Sequence, residues 1–256
     1  MKQQEQLLKE LKLSHTPSAI RRRLQYGYRH NYLRDFVYGA IDGAVTTFAV
    51  VSGVAGASLS TKIVIILGIA NLIGDGFSMA VSNFLGTRAE EQLRDKARRT
   101  EELHIAKFPA GEREEIRQIF ATKGFSGQEL ENAVKIITSN QEQWVDTMLK
   151  EELGLSSQGP SPWRAALSTF SAFVIVGSFP LLAFLYQLFF PSASLDPFLI
   201  STIITGIAFF GVGAFKGQFV DEDWWKAGVE TFLVGVCAAF LAFMVGVLLR
   251  GIMMAP

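Results

Sequence analysis

Five apolar stretches separated by polar segments dominate the hydrophobic pattern of this sequence. A helix of about 20 residues is long enough to cross a hydrocarbon core of about 30 Å. A lone strand cannot cross, because lipid offers no hydrogen-bond partner to its peptide groups. The pattern therefore predicts an all-α membrane protein with five transmembrane helices, at residues 36–59, 63–86, 163–190, 198–215 and 227–249. A kink is predicted at Pro180 in the third.

The segment between the second and third apolar stretches, residues 87–159, is rich in charge, with 14 acidic and 11 basic residues. Its pattern predicts a helical insert of three or four short helices, the first at 90–107 and the second at 112–123. Gly124 follows the second as a left-handed C-terminal residue. Ser126 begins the third, and Asn140 is the N-cap of the last. Taken alone, the insert is typical of a small soluble bundle.

The distribution of lysine and arginine determines the predicted orientation. Residues 1–35 carry eight basic residues and residues 87–159 carry eleven, whereas the loops on the other side offer only Lys62. Because basic loops stay in the cytoplasm, we expect the N-terminus and the insert to be cytoplasmic and the C-terminus to lie opposite. The predicted domains are a basic segment at 1–35, helices 1 and 2 at 36–86, the insert at 87–159, and helices 3 to 5 at 160–256.

Overall composition adds two exclusions. The 24 basic residues balance the 24 acidic residues, so no global field indicates a nucleic-acid partner. Cys237 is the single cysteine, which excludes an internal disulfide and a cysteine-rich metal site. The 49% of hydrophobic residues and 19% of charged residues agree with a protein whose main partner is the lipid bilayer.

Two aspartates lie deep in predicted transmembrane helices, Asp42 in the first and Asp75 in the second. Ionisable groups at this depth are costly and mostly line a transport pathway. Asn71, Asp75 and Met79 follow one another at intervals of four residues and share one helix face. A carboxylate, an amide and a thioether together suit a transition-metal ion. The alternative is that Asp75 bonds a neighbouring helix and Met79 only packs.

The insert repeats ligand-type residues at helical spacing. Side chains three or four positions apart share one face of a helix, and paired glutamates and Glu-x-x-His units hold metal ions in helical bundles. A charged surface helix also produces such pairs by chance, so a solvated face is the alternative interpretation. The candidate ligands are Glu101 with His104, Glu112 with Glu115, and Met148 with Glu152.

Three segments carry a resemblance to a known family. They read Arg34-Asp35, Asp42-Gly43 and Thr46-Thr47-Phe48 in the first helix, Gly68-Ile69-Ala70-Asn71 and Ser78-Met79 in the second, and Trp144-Val145-Asp146, Met148 and Glu152-Leu153-Gly154-Leu155 at the end of the insert. With this order, the five-helix count and the position of the insert, the chain resembles the vacuolar iron transporter family from about Arg34 to its C-terminus.

The resemblance implies a homodimer that exports Fe²⁺, often with Mn²⁺, from the cytoplasm in exchange for protons, with the metal path between the subunits. It implies that Asp42 binds metal and exchanges a proton, and that Met79 is a ligand on the second helix. Zn²⁺ and Co²⁺ are further ions that such ligands would accept. The family's cytoplasmic metal-binding glutamates, with the methionine beside the last, fall on Glu101, Glu112, Glu115, Glu152 and Met148.

Two positions depart from the plant-type pattern. Asn71 stands where those members have a glutamate, with a carboxylate one turn later at Asp75, and His104 stands where they have another glutamate in the insert. The pairing of Asn71 with Asp75 is similar to prokaryotic members. Both changes keep ligand chemistry. The expected membrane is the inner membrane of a bacterium or the vacuolar membrane of a eukaryote.

Two other functions remain as alternatives. A membrane-anchored di-iron ferroxidase would use Glu101-x-x-His104, but a ferritin-like site takes two such units on different helices, and the sequence has one. A passive divalent-cation channel would need no proton acceptor inside the membrane. We therefore expect a transporter rather than an enzyme.

Overall fold

The computed structural model describes residues 2–26, 31–156, 158–190 and 196–253, and these residues form helices without a strand. The prediction of an all-α protein is thus confirmed for the described part of the chain. The helices are α1 (Lys2–Ser14), α2 (Pro17–Tyr26), α3 (Leu33–Gly56), α4 (Thr61–Lys107), α5 (Pro109–Thr122), α6 (Gly127–Ile137), α7 (Gln141–Glu151), α8 (Pro162–Gly177), α9 (Phe179–Phe189), α10 (Pro197–Phe219) and α11 (Trp224–Met253). Residues 1–31, with α1 and α2, are one compact unit, and residues 32–256 are a second.

Within the described residues, four helices are long and apolar enough to cross a membrane: α3, α4, α10 and α11. Helices α8 and α9 pass the same test only as a pair, bent by 48°. Pro180 lies in the first turn of α9, where its missing N–H and its ring break the preceding helix. The predicted kink is confirmed, and the part of the chain that the structure describes has four candidate spans, or five if the bent pair crosses as one.

The described helix α4 corrects one prediction. The sequence predicts that a transmembrane helix ends at Gly86 and a separate insert helix begins at Glu90, but the structure has one uninterrupted helix, Thr61–Lys107. Composition changes there from apolar to charged, yet no proline interrupts it, and a single glycine costs a helix only about 1 kcal/mol. At 1.5 Å per residue α4 is about 70 Å long, so it joins the apolar region directly to the insert.

Helix α3 packs closely against α8 through small residues. A Cβ on Gly39 would overlap the backbone of α8 at Thr169, and one on Gly43 would overlap α8 at Phe173. The apolar core beside them includes Phe48, Val51, Leu72, Phe173 and Leu181. Small residues thus let α3 approach α8 within backbone contact, which is the arrangement that small-xxx-small pairs favour in membranes.

The insert packs α5, α6 and α7 with the end of α4 around a second core, formed by Ile105, Ile116, Val134, Ile137, Trp144, Val145, Met148 and Leu149. Three of its helix ends lie where the sequence predicts them, although α5 begins at Pro109 and not at residue 112, and the Ser126 side chain makes no cap hydrogen bond. The Asn140 side chain accepts a hydrogen bond of 3.0 Å from the backbone N–H of Gln143, and Ser126 precedes α6. Gly124 has a φ of +94°, which glycine adopts without strain.

Candidate metal-binding sites

The end of α4 and the start of α5 bring three ligand-type side chains of the insert together. Helix α4 ends at Lys107 and α5 begins at Pro109, whose fixed φ suits the first turn of a helix. Only one residue therefore separates the two helices. Glu101 and His104 on the last turns of α4 consequently meet Glu112 on the first turn of α5.

The geometry of Glu101, His104 and Glu112, hereafter the triad, fits a divalent metal ion. One ligand atom from each residue lies within 4.8 Å of the other two, and His104 Nδ1 lies 3.4 Å from Glu112 Oε1. Two ligands bound at about 2.1 Å are at most about 4.2 Å apart, so small side-chain rotations would place all three on one ion. Both glutamates are buried, and the Oε2 atom of each has no hydrogen-bond partner. Buried carboxylate oxygens without partners are costly unless a cation or proton satisfies them.

The electrostatics of the insert couple this site to protons. Burial, followed by the negative charges of Glu115 and Glu101, raises the pKa of Glu112 to about 7, although His104 acts in the opposite direction. Burial likewise raises the pKa of Glu101. Burial and the charges of Glu101 and Glu115 raise the pKa of Glu152. A divalent cation and protons would therefore compete for the same oxygens near neutral pH.

The other predicted ligands of the insert surround the triad at different depths. Glu115 and Glu152 are exposed, and their charges act on the buried glutamates of the triad. Met148 is fully buried in the apolar core of the insert. The structure thus joins Glu101, His104 and Glu112 in one group, whereas the roles of Glu115, Met148 and Glu152 as ligands stay predictions.

The predicted membrane residues lie where α3 and α4 face each other and on the adjoining surface of α4. Asp42 is half-buried, and Asp75 is exposed and among the charges that act on it. The amide nitrogen of Asn71 donates hydrogen bonds to the hydroxyls of Thr46 (3.2 Å) and Thr47 (3.4 Å). Met79 is half-buried and packs against the apolar core. Asn71 is therefore a link between two helices, and the metal-binding role of the four residues stays a prediction.

One polar residue of α4 was missed in the sequence. The amide nitrogen of Asn83 donates to Asp35 Oδ1 at 2.9 Å and to Thr169 Oγ1 at 2.7 Å, so it connects α3, α4 and α8. The signal was available, because Asn83 is the next step of the four-residue series that begins Asn71, Asp75, Met79. Its contacts make it a structural cross-link at the end of the bundle nearer the insert.

Comparison with known proteins supports the resemblance that the sequence motifs indicate. A protein of Toxoplasma gondii named vacuolar iron transporter is 32% identical over 226 residues, covering 86% of this chain and 75% of the relative. A Plasmodium berghei protein of the same name is 31% identical over 86% of this chain and 83% of its own length. Vacuolar iron transporter 1 of Arabidopsis thaliana is 32% identical over 82% of this chain and 83% of its own.

These relatives are named as transporters, in agreement with the prediction that the chain is not an enzyme. A family model described as VIT family matches residues 33–247, which is most of the chain and includes both sets of candidate ligands. The resemblance seen in the sequence is therefore confirmed, and this chain belongs to the VIT family.

Proposed function

We propose that the chain is a metal-ion transporter that exports Fe²⁺, with Mn²⁺ as a second substrate, from the cytoplasm in exchange for protons. One observation carries the proposal: α4 is a single helix that holds ligands of both candidate sites. Glu101 and His104 lie near its end, and Asp75 lies about 39 Å away along its axis at 1.5 Å per residue. Iron as the substrate is supported by the names of the relatives.

The triad is the capture site in this proposal. Two buried carboxylates and an imidazole suit Fe²⁺ and Mn²⁺, and they also accept Zn²⁺ and Co²⁺. The unpartnered oxygens of Glu101 and Glu112 supply the driving force, because a bound cation satisfies them. The surrounding charges of Glu115 and Glu152 attract cations from solvent, so the insert would concentrate substrate next to the membrane.

The membrane residues account for the exchange. An isolated carboxylate away from water is strongly disfavoured as an anion, so Asp42 and Asp75 need a metal ion or a proton. When metal leaves, a proton takes its place, and this competition is the physical basis of antiport. The thioether of Met79 adds a soft ligand that favours a transition metal over Mg²⁺ or Ca²⁺.

A second copy of the chain is part of the proposed transporter, because Asp75 lies on an exposed apolar face of α4. Its neighbours Ile73 and Phe77 have 63% and 65% of their surface exposed, and a Cβ on Gly74 would meet nothing within 4 Å. A carboxylate that faces lipid is costly. A homodimer that buries this face against a second α4 removes that cost and places the metal path between the subunits.

Cysteine cross-linking tests the dimer. In a Cys237→Ala background, we expect Ile73→Cys and Phe77→Cys to give disulfide-linked dimers in vesicles under mild oxidation. Leu241→Cys is the matched control, since Leu241 is an apolar residue of α11 with 65% exposure. Cross-linking of the control as efficiently as of the two α4 variants would contradict the proposed interface.

The proposed orientation follows from the basic residues. The N-terminus and the insert carry most of the lysines and arginines and would lie in the cytoplasm. The bent pair of α8 and α9 would cross as one span, which makes five spans and places the C-terminus opposite. This is the arrangement of a multi-pass protein in the inner membrane of a bacterium or the vacuolar membrane of a eukaryote.

Transport into liposomes tests the activity. With the insert facing outwards, we expect Fe²⁺ to enter the vesicle faster when its lumen is more acidic than the outside, and Mn²⁺ to do the same. Entry that is indifferent to the proton gradient would indicate the channel instead. No entry of either ion in vesicles that contain folded protein would contradict the transporter.

A further inference from the structure

A cavity of about 800 Å³ lies between α3, α10 and α11, and none of the candidate metal ligands lines it. Seven of its fifteen lining residues are phenylalanines, and almost all the rest are apolar. A cavity of this size is in the range of small-molecule binding sites, which is about 300–1,000 Å³. It therefore offers a site for an apolar ligand.

Helix α11 contacts its neighbours closely on both sides of the cavity. At one end a Cβ on Gly246 would collide with the carbonyl oxygen of Gly53 in α3, and at the other a Cβ on Gly213 of α10 would collide with Ala227. Between these contacts the side chain of Phe209 lies so close to Gly235 of α11 that a Cβ there would collide with it. The cavity therefore lies between regions of close packing, and phenylalanine rings line it.

One end of the cavity carries an unsatisfied polar group. Ser52 lines it with 1% of its surface exposed, and its Oγ atom has no hydrogen-bond partner. The other hydroxyl of the lining, on Thr202, already donates to the carbonyl oxygen of Phe198 at 2.8 Å. A rotation of the Ser52 side chain toward the cavity would let a ligand with a hydrogen-bond acceptor at this end satisfy the hydroxyl, and buried hydroxyl groups rarely remain without a partner.

The position of Ser52 in its helix locates this end in the bilayer. Ser52 is four residues, or about 6 Å, from the end of α3 at Gly56, which is the end opposite the insert. From Phe198 to Phe210 the lining extends twelve residues along α10, or about 18 Å. Half of a hydrocarbon core is about 15 Å, so the cavity spans the leaflet opposite the insert.

We propose that this cavity binds a glycerolipid of that leaflet, with one acyl chain between α10 and α11 and the Ser52 hydroxyl donating a hydrogen bond to the ester carbonyl oxygen. The lining contains no charged residue, so the carboxylate of a free fatty acid would have no counter-charge there. The occupant is a lipid chain with an uncharged oxygen-bearing end.

Photolabelling of the full-length protein tests the site. The probe is a phosphatidylcholine with a diazirine on one acyl chain, in vesicles of unlabelled phosphatidylcholine, and mass spectrometry locates the label. We expect labelling at Ile207 and Phe232, which line the cavity, to exceed labelling at Leu241 by about fivefold, the equivalent of about 1 kcal/mol. Equal labelling at all three would mean ordinary surrounding lipid and would overturn the site.

A second test compares a variant whose new side chain fills the cavity with a variant that carries the same substitution outside it. Ala239→Phe places a ring in the lining and should lower the labelling at Ile207 and Phe232 about fivefold, whereas Leu241→Phe on the same helix should leave it unchanged. Val236→Phe fills the same wall and replaces Ala239→Phe if that variant does not fold. Unchanged labelling in a folded, filled variant would overturn the proposal.

The hydrogen bond has its own test. We expect Ser52→Ala to lower labelling by the ester-linked probe to the level that an ether-linked probe gives in the wild type, and to leave the ether-linked probe unaffected. Equal behaviour of the two probes in the wild type would contradict the bond to the ester. Stronger labelling by a photoreactive free fatty acid than by the phospholipid would overturn the assignment to a glycerolipid.

Discussion

The insert and the membrane region differ in how they place the carboxylates of their candidate metal sites. In the insert, Glu101, His104 and Glu112 converge within one chain against an apolar core. In the membrane region, Asp42 is half-buried while Asp75 lies on an exposed apolar face. The candidate ligands of the insert are already assembled, whereas those of the membrane region are open on one side.

The difference reflects the solvent around each site. In water an exposed carboxylate is well solvated, so the insert can leave Glu115 and Glu152 exposed around the buried triad. In lipid an exposed carboxylate is costly, so we expect another protein surface to cover Asp75. We infer that the insert binds metal as a single chain, whereas the membrane site is completed by the second copy.

The largest expected effect is that of Asp42→Asn on transport. The variant can neither bind the metal ion through a carboxylate nor exchange a proton, so gradient-driven Fe²⁺ entry should fall by at least about 100-fold, the equivalent of about 2.8 kcal/mol. Binding of Co²⁺ by the insert, measured by titration calorimetry, should be unchanged. Asp196→Asn, at the exposed start of α10, is the matched control and should transport normally. Normal transport by Asp42→Asn would contradict the role of Asp42.

Glu112→Gln should affect the insert in two opposite ways. It removes a ligand, so the affinity for Co²⁺ at pH 8 should fall by about 10–100-fold. It also removes a buried charge whose pKa is raised, so the metal-free protein should unfold at a higher temperature than the wild type at pH 8. The control is Glu114→Gln, because Glu114 is exposed and paired with Arg117. A loss of affinity without the gain in stability would contradict the assigned electrostatics.

The pH dependence of the insert should be smaller, and its sign follows from the pKa of Glu112. Below about pH 7 a proton occupies the carboxylate, so the Co²⁺ affinity should fall by about tenfold per pH unit. The folded state binds this proton more tightly than the unfolded state, so the metal-free protein should lose stability as pH rises from about 4.5 to 7. Both slopes are measured by titration and thermal unfolding, and a flat affinity between pH 6 and 7 would contradict this assignment.

The smallest expected effect belongs to Asn83→Ala. The variant removes the hydrogen bonds to Asp35 and Thr169 and leaves both without this donor, which should cost about 1–3 kcal/mol of stability. Thermal unfolding in detergent measures the loss. Asn132→Ala is the control, because Asn132 is exposed and bonds only its helix neighbour Gln128. Equal unfolding temperatures for the two variants would show that Asn83 is no cross-link.

Local signals predicted much of the fold. Pro180 predicted the bend of the α8–α9 pair, Asn140 predicted the start of α7, and Gly124 predicted the end of α5, since each acts on its own backbone. The prediction that α4 is two helices was wrong, because it was based on hydrophobicity and not on a residue that ends a helix. Hydrophobicity reports the solvent around a residue, and it changes near Gly86 although the backbone remains helical.

The sequence predicted which residues are candidate ligands, but only partly which of them lie together. The spacing of Glu101 and His104 places them on one face of α4, but their meeting with Glu112 depends on the turn at Phe108 and on packing of the insert core. The exposure of Asp75 was not predictable from the four-residue series, which defines a face without saying what the face contacts. Asn83, the next member of that series, contacts α3 and α8 within the same chain.

Simultaneous measurement of Fe²⁺ entry and luminal pH tests the central claim, that metal and protons compete for the same carboxylates. Liposomes contain a luminal pH dye and start with equal pH on both sides, and K⁺ with valinomycin holds the membrane potential at zero. We predict that Fe²⁺ entry raises the luminal pH in the wild type, with neither change in Asp42→Asn. Fe²⁺ entry at constant luminal pH would contradict the exchange.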